Sequence, residues 1–462
     1  MDFEDYTATR GMMYLLLAQN NNPALGTGTH ILATQSQNLL GGIPDTLLDF
    51  NNQYQINLFG NYPVESDKVP SAIFAAAFAV LMVLHIAIFA INASRGHYFW
   101  LTLGWIFYCI MRVIGWIVRI YWIPVLYDTT RGISNEVFLI LPSIFLTSFN
   151  LILAQRIFTW RHPVGGSRRL FWNLMITLYV FVAAIVAITV LASAVPYVNF
   201  LSDKNYTRWK KVVEASSILI ILYSLTSISL IGLAYFFKPT AKDENLYTYQ
   251  PWWVESFSPF YFVKPGAKEE AEETFMKRNH NHRHAIRVIA ATHHHYNMVE
   301  GTTNQRGDLT HNYSLVIIAI TTVLLLVGAV LRSIVVFEGN YHYKSGKLCQ
   351  PVAMYICWGL FEFIINALYI VGRVDLRFYR PDKLPKKVRS IITAEQSVLV
   401  SDNEEEEEEY EYETDENYSQ QYKESFNDSN DLDFSPPNYH YQTTQPAHPK
   451  PKTEKNEEEF HF

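Results

Sequence analysis

Arg112 and Arg119 stand seven residues apart inside an otherwise apolar stretch, Tyr98 to Trp122. Seven residues make nearly two turns of α-helix, so both guanidinium groups fall on one face, about 10 Å apart. An arginine near the bilayer centre costs about 2.5–3.5 kcal/mol on insertion scales, so it requires a partner or a watery cavity. The acidic residue expected at the depth of Arg112 is Glu362, which opens the stripe Glu362, Asn366 and Tyr369 at i, i+4, i+7. The spacing predicts that Arg112 pairs with Glu362. Such a pair either pins two helices together or borders a polar cavity for a charged headgroup, an ion or a proton. Arg119 is expected near the outer interface, where it can snorkel to water. Gly115, between the arginines, allows a neighbouring helix to approach closely. His85, Asn150, Gln155, and Arg332 with Glu338 are candidates to extend the polar interior. A lone histidine such as His85 is more often a packing or hydrogen-bonding residue than a proton relay.

The elements that position these residues are apolar runs. Of 462 residues, 49% are apolar and 15% aromatic. About 20 consecutive apolar residues span a bilayer, and the chain holds seven such runs, near 70–92, 99–122, 136–157, 171–195, 214–237, 313–336 and 351–372. Trp100, Tyr121, Trp122, Tyr197 and Tyr313 mark run ends as interfacial aromatics do, and Pro142 is expected to kink the third run. The expected fold class is all-α: a polytopic membrane protein of seven transmembrane helices with disordered N- and C-terminal tails. A polar segment (1–69) precedes the membrane domain (70–372). A basic juxtamembrane collar (373–400) and an acidic tail (401–462) follow it.

Charge is segregated. Residues 401–462 carry 19 acidic and 4 basic side chains, while the remainder carries 25 acidic and 33 basic. Twenty basic residues fall on the side of loops 1, 3 and 5 plus the collar, against nine on the other. The positive-inside rule then predicts an N-terminus outside and a C-terminus in the cytosol, and the ample length of the spans suits the plasma membrane as the expected location. The sequon Asn205-Tyr206-Thr207 falls in a predicted outer loop, where Asn205 is a glycosylation candidate.

The long loop 238–312 contains an aromatic patch, Pro251 to Val263, expected against headgroups, a charged segment from Lys268 to Lys277, and a histidine-rich stretch, His280 to His295. His280 and His284 have the i, i+4 spacing of a helical metal pair, and His293, His294 and His295 add possible ligands. The competing reading is an interfacial helix whose Ile286, Val288 and Ile289 touch the membrane. The collar 373–389 has the composition of a site for anionic lipid headgroups. The N-terminal 69 residues show no core pattern, so a folded ectodomain is not expected. Cys109, Cys349 and Cys357 offer neither a disulfide framework nor a metal signature. No phosphate-binding loop and no nucleophile–base arrangement appears, so an enzyme, a cofactor and a nucleic-acid partner are not expected.

Four segments resemble an uncharacterised family of fungal seven-helix integral membrane proteins: KVPSAIFAAAFAVLMVLHIAIF (68–89), SRGHYFWLTLGWIFYCIMRVIGWIVRIYW (94–122), LAQRIFTWRHP (153–163) and THHHYNMVEGTTNQRGDLTHNYS (292–314). The resemblance covers roughly 60–380. In layout the chain is similar to the fungal lipid-translocating exporter family linked to amphiphile resistance. Gly115 and Arg119 match a Gly-Arg pattern in an early helix of that family, while Arg112 stands where it carries an acidic residue. The likeness implies a transporter-like protein that handles a lipid or amphiphile among membrane lipids. A receptor-like seven-helix scaffold is the alternative, and metal handling or enzymatic use of the histidine-rich loop ranks third.

Overall fold

A backbone crossing lipid must satisfy its own polar groups, which an α-helix does internally. All seven apolar runs accordingly fold as helices in the computed structural model, which describes residues 7–162, 169–238 and 312–378, together with 247–249, 260, 262 and 288–290. The spans are α4 (Lys68–Ser94), α5 (Leu101–Trp122), α6 (Thr129–Arg161), α7 (Arg169–Val198), α8 (Asp203–Phe236), α9 (Asn312–Glu338) and α10 (Pro351–Val371). Each is long and apolar enough to cross a membrane, which makes the chain a multi-pass membrane protein. Helix α4 packs on α5, α5 on α6, and α6 and α9 on α8, with α7 against α8. A short antiparallel pair, β1 (Tyr247–Tyr249) with β2 (Val288–Ala290), lies in the long loop. Val288 and Ile289, expected on a helix, thus stand in a strand, as β-branched residues prefer. His280, His284, His293, His294 and His295 lie outside the described residues, as do Lys268–Lys277 and all of 401–462.

The expected structureless N-terminus is instead a helical cap. Three short helices, α1 (Thr7–Gln19), α2 (Thr29–Leu40) and α3 (Asp45–Gln53), share a small core of Met13, Leu16, Leu17, Leu32, Leu47 and Phe50. Polar side chains lock this cap from within: Gln55 donates to Thr29 Oγ1 (2.6 Å), and Asn20 and Gln35 exchange amide hydrogen bonds of 2.9 and 3.1 Å. Backbone hydrogen bonds hold it to the bundle, from Ala24 to Leu201, Gly28 to Pro196, Asn57 to Asn340 and His342 to Gln55, all 2.8–2.9 Å. These attachments define a cap face of the bundle.

The opposite end, the tail face, is closed by a turn. Helix α10 stops at Gly372, Arg373 takes the left-handed conformation (φ 45°), and α11 (Val374–Arg377) folds back. Arg373 and Arg377 are therefore buried, not presented to headgroups as expected for the start of a basic collar. Arg373 pairs with Asp375 (2.7 Å), which also accepts from Asn92 (2.7 Å), and Arg377 donates to the Gly372 carbonyl (2.7 Å). Phe262, from the aromatic patch, lies under the guanidinium groups of Arg95 and Arg373. The rest of the collar lies outside the described residues. The three cysteines are free and buried, and burial pushes the Cys349 thiol pKa up.

Candidate functional site

Helix α5 carries both arginines into the bundle, and neither reaches water. Arg112 forms a bidentate ion pair with Glu362: Nε donates to Oε2 (2.6 Å) and Nη2 to Oε1. Its remaining donors reach the Leu139 carbonyl (2.7 Å) and Ser143 Oγ (2.8 Å). Ser143 in turn donates to Glu362 Oε1 (2.6 Å), and Tyr108 donates to Oε2. One guanidinium thus joins α5, α6 and α10 with its charge fully matched.

Three local features make room for this layer. Pro142 has no N–H to offer the Phe138 carbonyl, which opens the α6 ladder beside Leu139 and Ser143. A Cβ on Gly115 would stand 2.9 Å from that same Phe138 oxygen, so α5 can cross α6 here only without a side chain. Helix α10 runs as a π-helix over Tyr355–Phe361, immediately before Glu362. Such insertions often re-aim side chains at functional positions.

Arg119 does not snorkel to an interface. The cap occupies that space, and Arg119 Nη2 donates to Asp67 Oδ2 (2.7 Å) and the Gly60 carbonyl (2.8 Å). Gly60 adopts φ 95°, and a side chain there would collide with Met354. Tyr355 donates to the Asp67 carbonyl (3.2 Å) and shares a hydrogen bond with Ser71 (2.8 Å).

Toward the tail face the polar axis continues. Asn366 donates to the Glu362 carbonyl (2.8 Å). His85 is buried against Trp105, ring centroids 5.6 Å apart, and its Nε2 has no partner among the described residues. Tyr369 donates to Asn150 Oδ1, which also accepts from Thr321 (3.1 Å). Gln155 is buried and accepts from Tyr179 (3.5 Å). His97 then abuts the Asp375 carbonyl (3.3 Å), and burial lowers its pKa. Asn205 stands exposed in the first turn of α8 rather than in a loop, with the sequon hydroxyl of Thr207 bonded to the Asp203 carbonyl (2.8 Å).

The space in this bundle lies elsewhere, among α6, α7, α8 and α9 beneath the cap. A cavity there has apolar walls that include Ile140, Leu141, Ile144, Val186 and Val190. Its polar groups include Glu136, Arg332, Lys210, Tyr62, Tyr197 and Tyr206. A smaller cavity adjoins it: Ile140, Ile144 and Arg332 line both, and the second reaches Ser143 and Glu362. Arg332 is 8% exposed and makes neither a hydrogen bond nor an ion pair among the described residues. Glu338, the partner nearest in sequence, is exposed. Glu136 lies within electrostatic reach of Arg332 and Arg119 but forms an ion pair with neither. Tyr62 and Tyr197 hydroxyls meet at 2.8 Å near Glu136, and burial raises the Tyr62 pKa well above its ordinary value. Among the described residues no group of three or more His, Cys, Asp or Glu could hold a metal ion.

Sequence reasoning reached Arg112, Arg119, Glu362 and Arg332 and missed Asp67, Glu136 and Ser143. Asp67 and Glu136 both stand at run boundaries, where a charge passes for a flank. A family model described as "Protein of unknown function (DUF3112)" matches residues 163–379, just under half of the chain. The matched stretch includes Arg332 and Glu362 and leaves out α4, α5 and α6. No curated protein and no solved structure matches the chain.

Proposed function

We propose that this membrane protein is transporter-like: it takes lipid-like amphiphiles into the cavity beneath the cap and moves them along the bundle. The observation that carries this reading is the pair of adjoining cavities, apolar-walled, sharing Arg332 and ending at Glu362. Buried ionisable groups beside such space are default markers of a polar path in membranes. The layout likeness to lipid-translocating exporters points the same way. Within this reading Arg112 and Arg119 pin helices, because each already has a carboxylate partner, Glu362 and Asp67, and the amphiphile passes on the α6–α9 side. The charge distribution favours the cap outside and anionic lipids near residues beyond Phe378, and the span lengths suit the plasma membrane.

The test is lipid movement between leaflets in liposomes, followed with a headgroup-labelled fluorescent lipid and a membrane-impermeant quencher. Wild-type protein is expected to accelerate movement, and Ile144→Trp, at a residue that lines both cavities, to abolish it while the protein still melts cooperatively. Movement no faster than in protein-free liposomes would sink translocation.

One observation favours a receptor-like protein as the second reading. The tail face is closed by Arg373, Asp375, Asn92 and the Arg156–Phe378 hydrogen bond, none of which lines the two cavities. On that reading an amphiphile binds and alters hydrogen exchange in α11 without crossing.

A further inference from the structure

Two opposite charges share the larger cavity without neutralising each other. Arg332 is buried on α9 with no acceptor among the described residues, although a guanidinium taken from water ordinarily finds one. Every other arginine of the bundle interior has such acceptors: Arg112 has Glu362, Arg119 has Asp67, Arg373 has Asp375. Glu136, on α6, is within electrostatic reach of Arg332 but too far for an ion pair. The two ends of the cavity also differ in kind. Glu136 lies close to the tyrosine pair Tyr62 and Tyr197, and Tyr206 and Trp122 line the same space. A carboxylate among aromatic faces suits a quaternary ammonium, which π-faces attract and which needs no hydrogen bond. Arg332 offers the planar donor fork that matches phosphate oxygens, and it stands where the larger cavity meets the smaller, beside Ile140 and Ile144.

We infer that the cavity is a binding site for a zwitterionic phosphocholine-type amphiphile, with phosphate on Arg332, quaternary ammonium between Glu136 and the tyrosines, and acyl chain along Ile140 and Ile144. A headgroup of this kind carries both missing partners at once. An amphiphile carrying charge of one sign only would leave the other group unmatched. This inference rests on the amphiphile reading above and specifies its ligand.

The test measures binding, not movement. Full-length protein in a maltoside detergent is titrated with three probes of equal chain length below their micellar concentrations: dodecylphosphocholine, dodecyl phosphate and dodecyltrimethylammonium. Dodecylphosphocholine is expected to bind at least tenfold more tightly than either the anionic or the cationic probe. Phosphocholine without a chain is expected to bind at least 100-fold more weakly than dodecylphosphocholine, and equal binding of the two would overturn an amphiphile as ligand. Arg332→Met is expected to abolish the preference for phosphate-bearing probes, and Glu136→Gln to bring dodecylphosphocholine down to the level of dodecyl phosphate. Because Arg332 has no protein acceptor, Arg332→Met should melt no lower than wild type without ligand. A lower melting temperature with unchanged probe affinities would overturn the assignment, and so would equal binding of all three charged probes. Selective binding with no lipid movement supports the site and sinks translocation; lipid movement without headgroup preference does the reverse.

Discussion

Arg112 and Arg332 are both buried arginines on spanning helices, and Glu362 borders the space near each. One is saturated and the other is bare. Arg112 has a bidentate carboxylate, a carbonyl and a hydroxyl, supplied by two other helices. Arg332 has only the field of Glu136 across open space. The contrast divides the bundle into a side that closes, α4, α5 and α10 with the adjoining face of α6, and a side that leaves room, α7, α8 and α9 with the opposite face of α6. A buried charge stabilises where the protein completes its shell. Where it does not, the unmatched charge is held ready for something else.

The comparison is broken most directly by removing half of the saturated pair. Arg112→Ala or Glu362→Ala leaves its partner buried and uncompensated, an effect of about 3–5 kcal/mol. Each single variant is expected to fold poorly, and the double variant to recover most of the loss, in chemical denaturation of protein in lipid nanodiscs. Losses under about 1 kcal/mol, the range of exposed pairs, would show that the closed side does not depend on this ion pair. Next in size is Gly115→Leu, whose Cβ would press on the backbone oxygen of Phe138. Overpacking of this kind costs about 1–3 kcal/mol. The same measurement on Gly232→Leu, which meets nothing within 4 Å, is expected to change little.

What could be read from the chain follows the same division. Charges are rare in the spans, so Arg112 and Glu362 at matching depth pointed to each other without any structure. Arg332 was visible for the same reason, but its sequence neighbour Glu338 is six residues on, which turns the helix well off the same face. Its electrostatic neighbour, Glu136, stands at the first residue of the expected third span and passed for a boundary. Arg119 was expected at an open interface because the N-terminal segment showed no core pattern. Its leucines are divided among three short helices, each lacking a long amphipathic stripe, and asparagine and glutamine bonds that no periodicity announces join its small apolar core. The helix count was legible because lipid leaves few alternatives to a helix. The cap obeys no such constraint.

Asp67→Asn sharpens the contrast at the next level. It keeps a hydrogen-bond acceptor for Arg119 but removes the counter-charge, an effect of about 1.5–3 kcal/mol for a bond to a charged group. Because Arg119 also donates to the Gly60 carbonyl, the expected consequence is local: faster hydrogen exchange in 56–67 and in α3, with α6–α9 unchanged. Uniform acceleration across the bundle would mean that the cap and the closed side unfold as one unit.

The smallest expected effect is a pH dependence confined to polar groups outside the spans. His97 is buried beside the Asp375 carbonyl, and burial holds its pKa below the ordinary histidine value; His342, on the cap face, is lowered for the same reason. A histidine lowered on folding binds fewer protons in the folded than in the unfolded state. Its contribution is therefore fully present above about pH 6.5, the unfolded value, and is lost as pH falls toward the folded one. Melting temperature is expected to drop between pH 7 and pH 5, and His97→Gln with His342→Gln to reduce that slope. Arg112 and Arg332 keep their charge throughout this range, so Arg332→Met should shift the whole profile without changing its shape. A changed slope in that variant would show that the open side contains a proton-linked group coupled to Arg332, and Glu136, already in its field, would be the group to replace next.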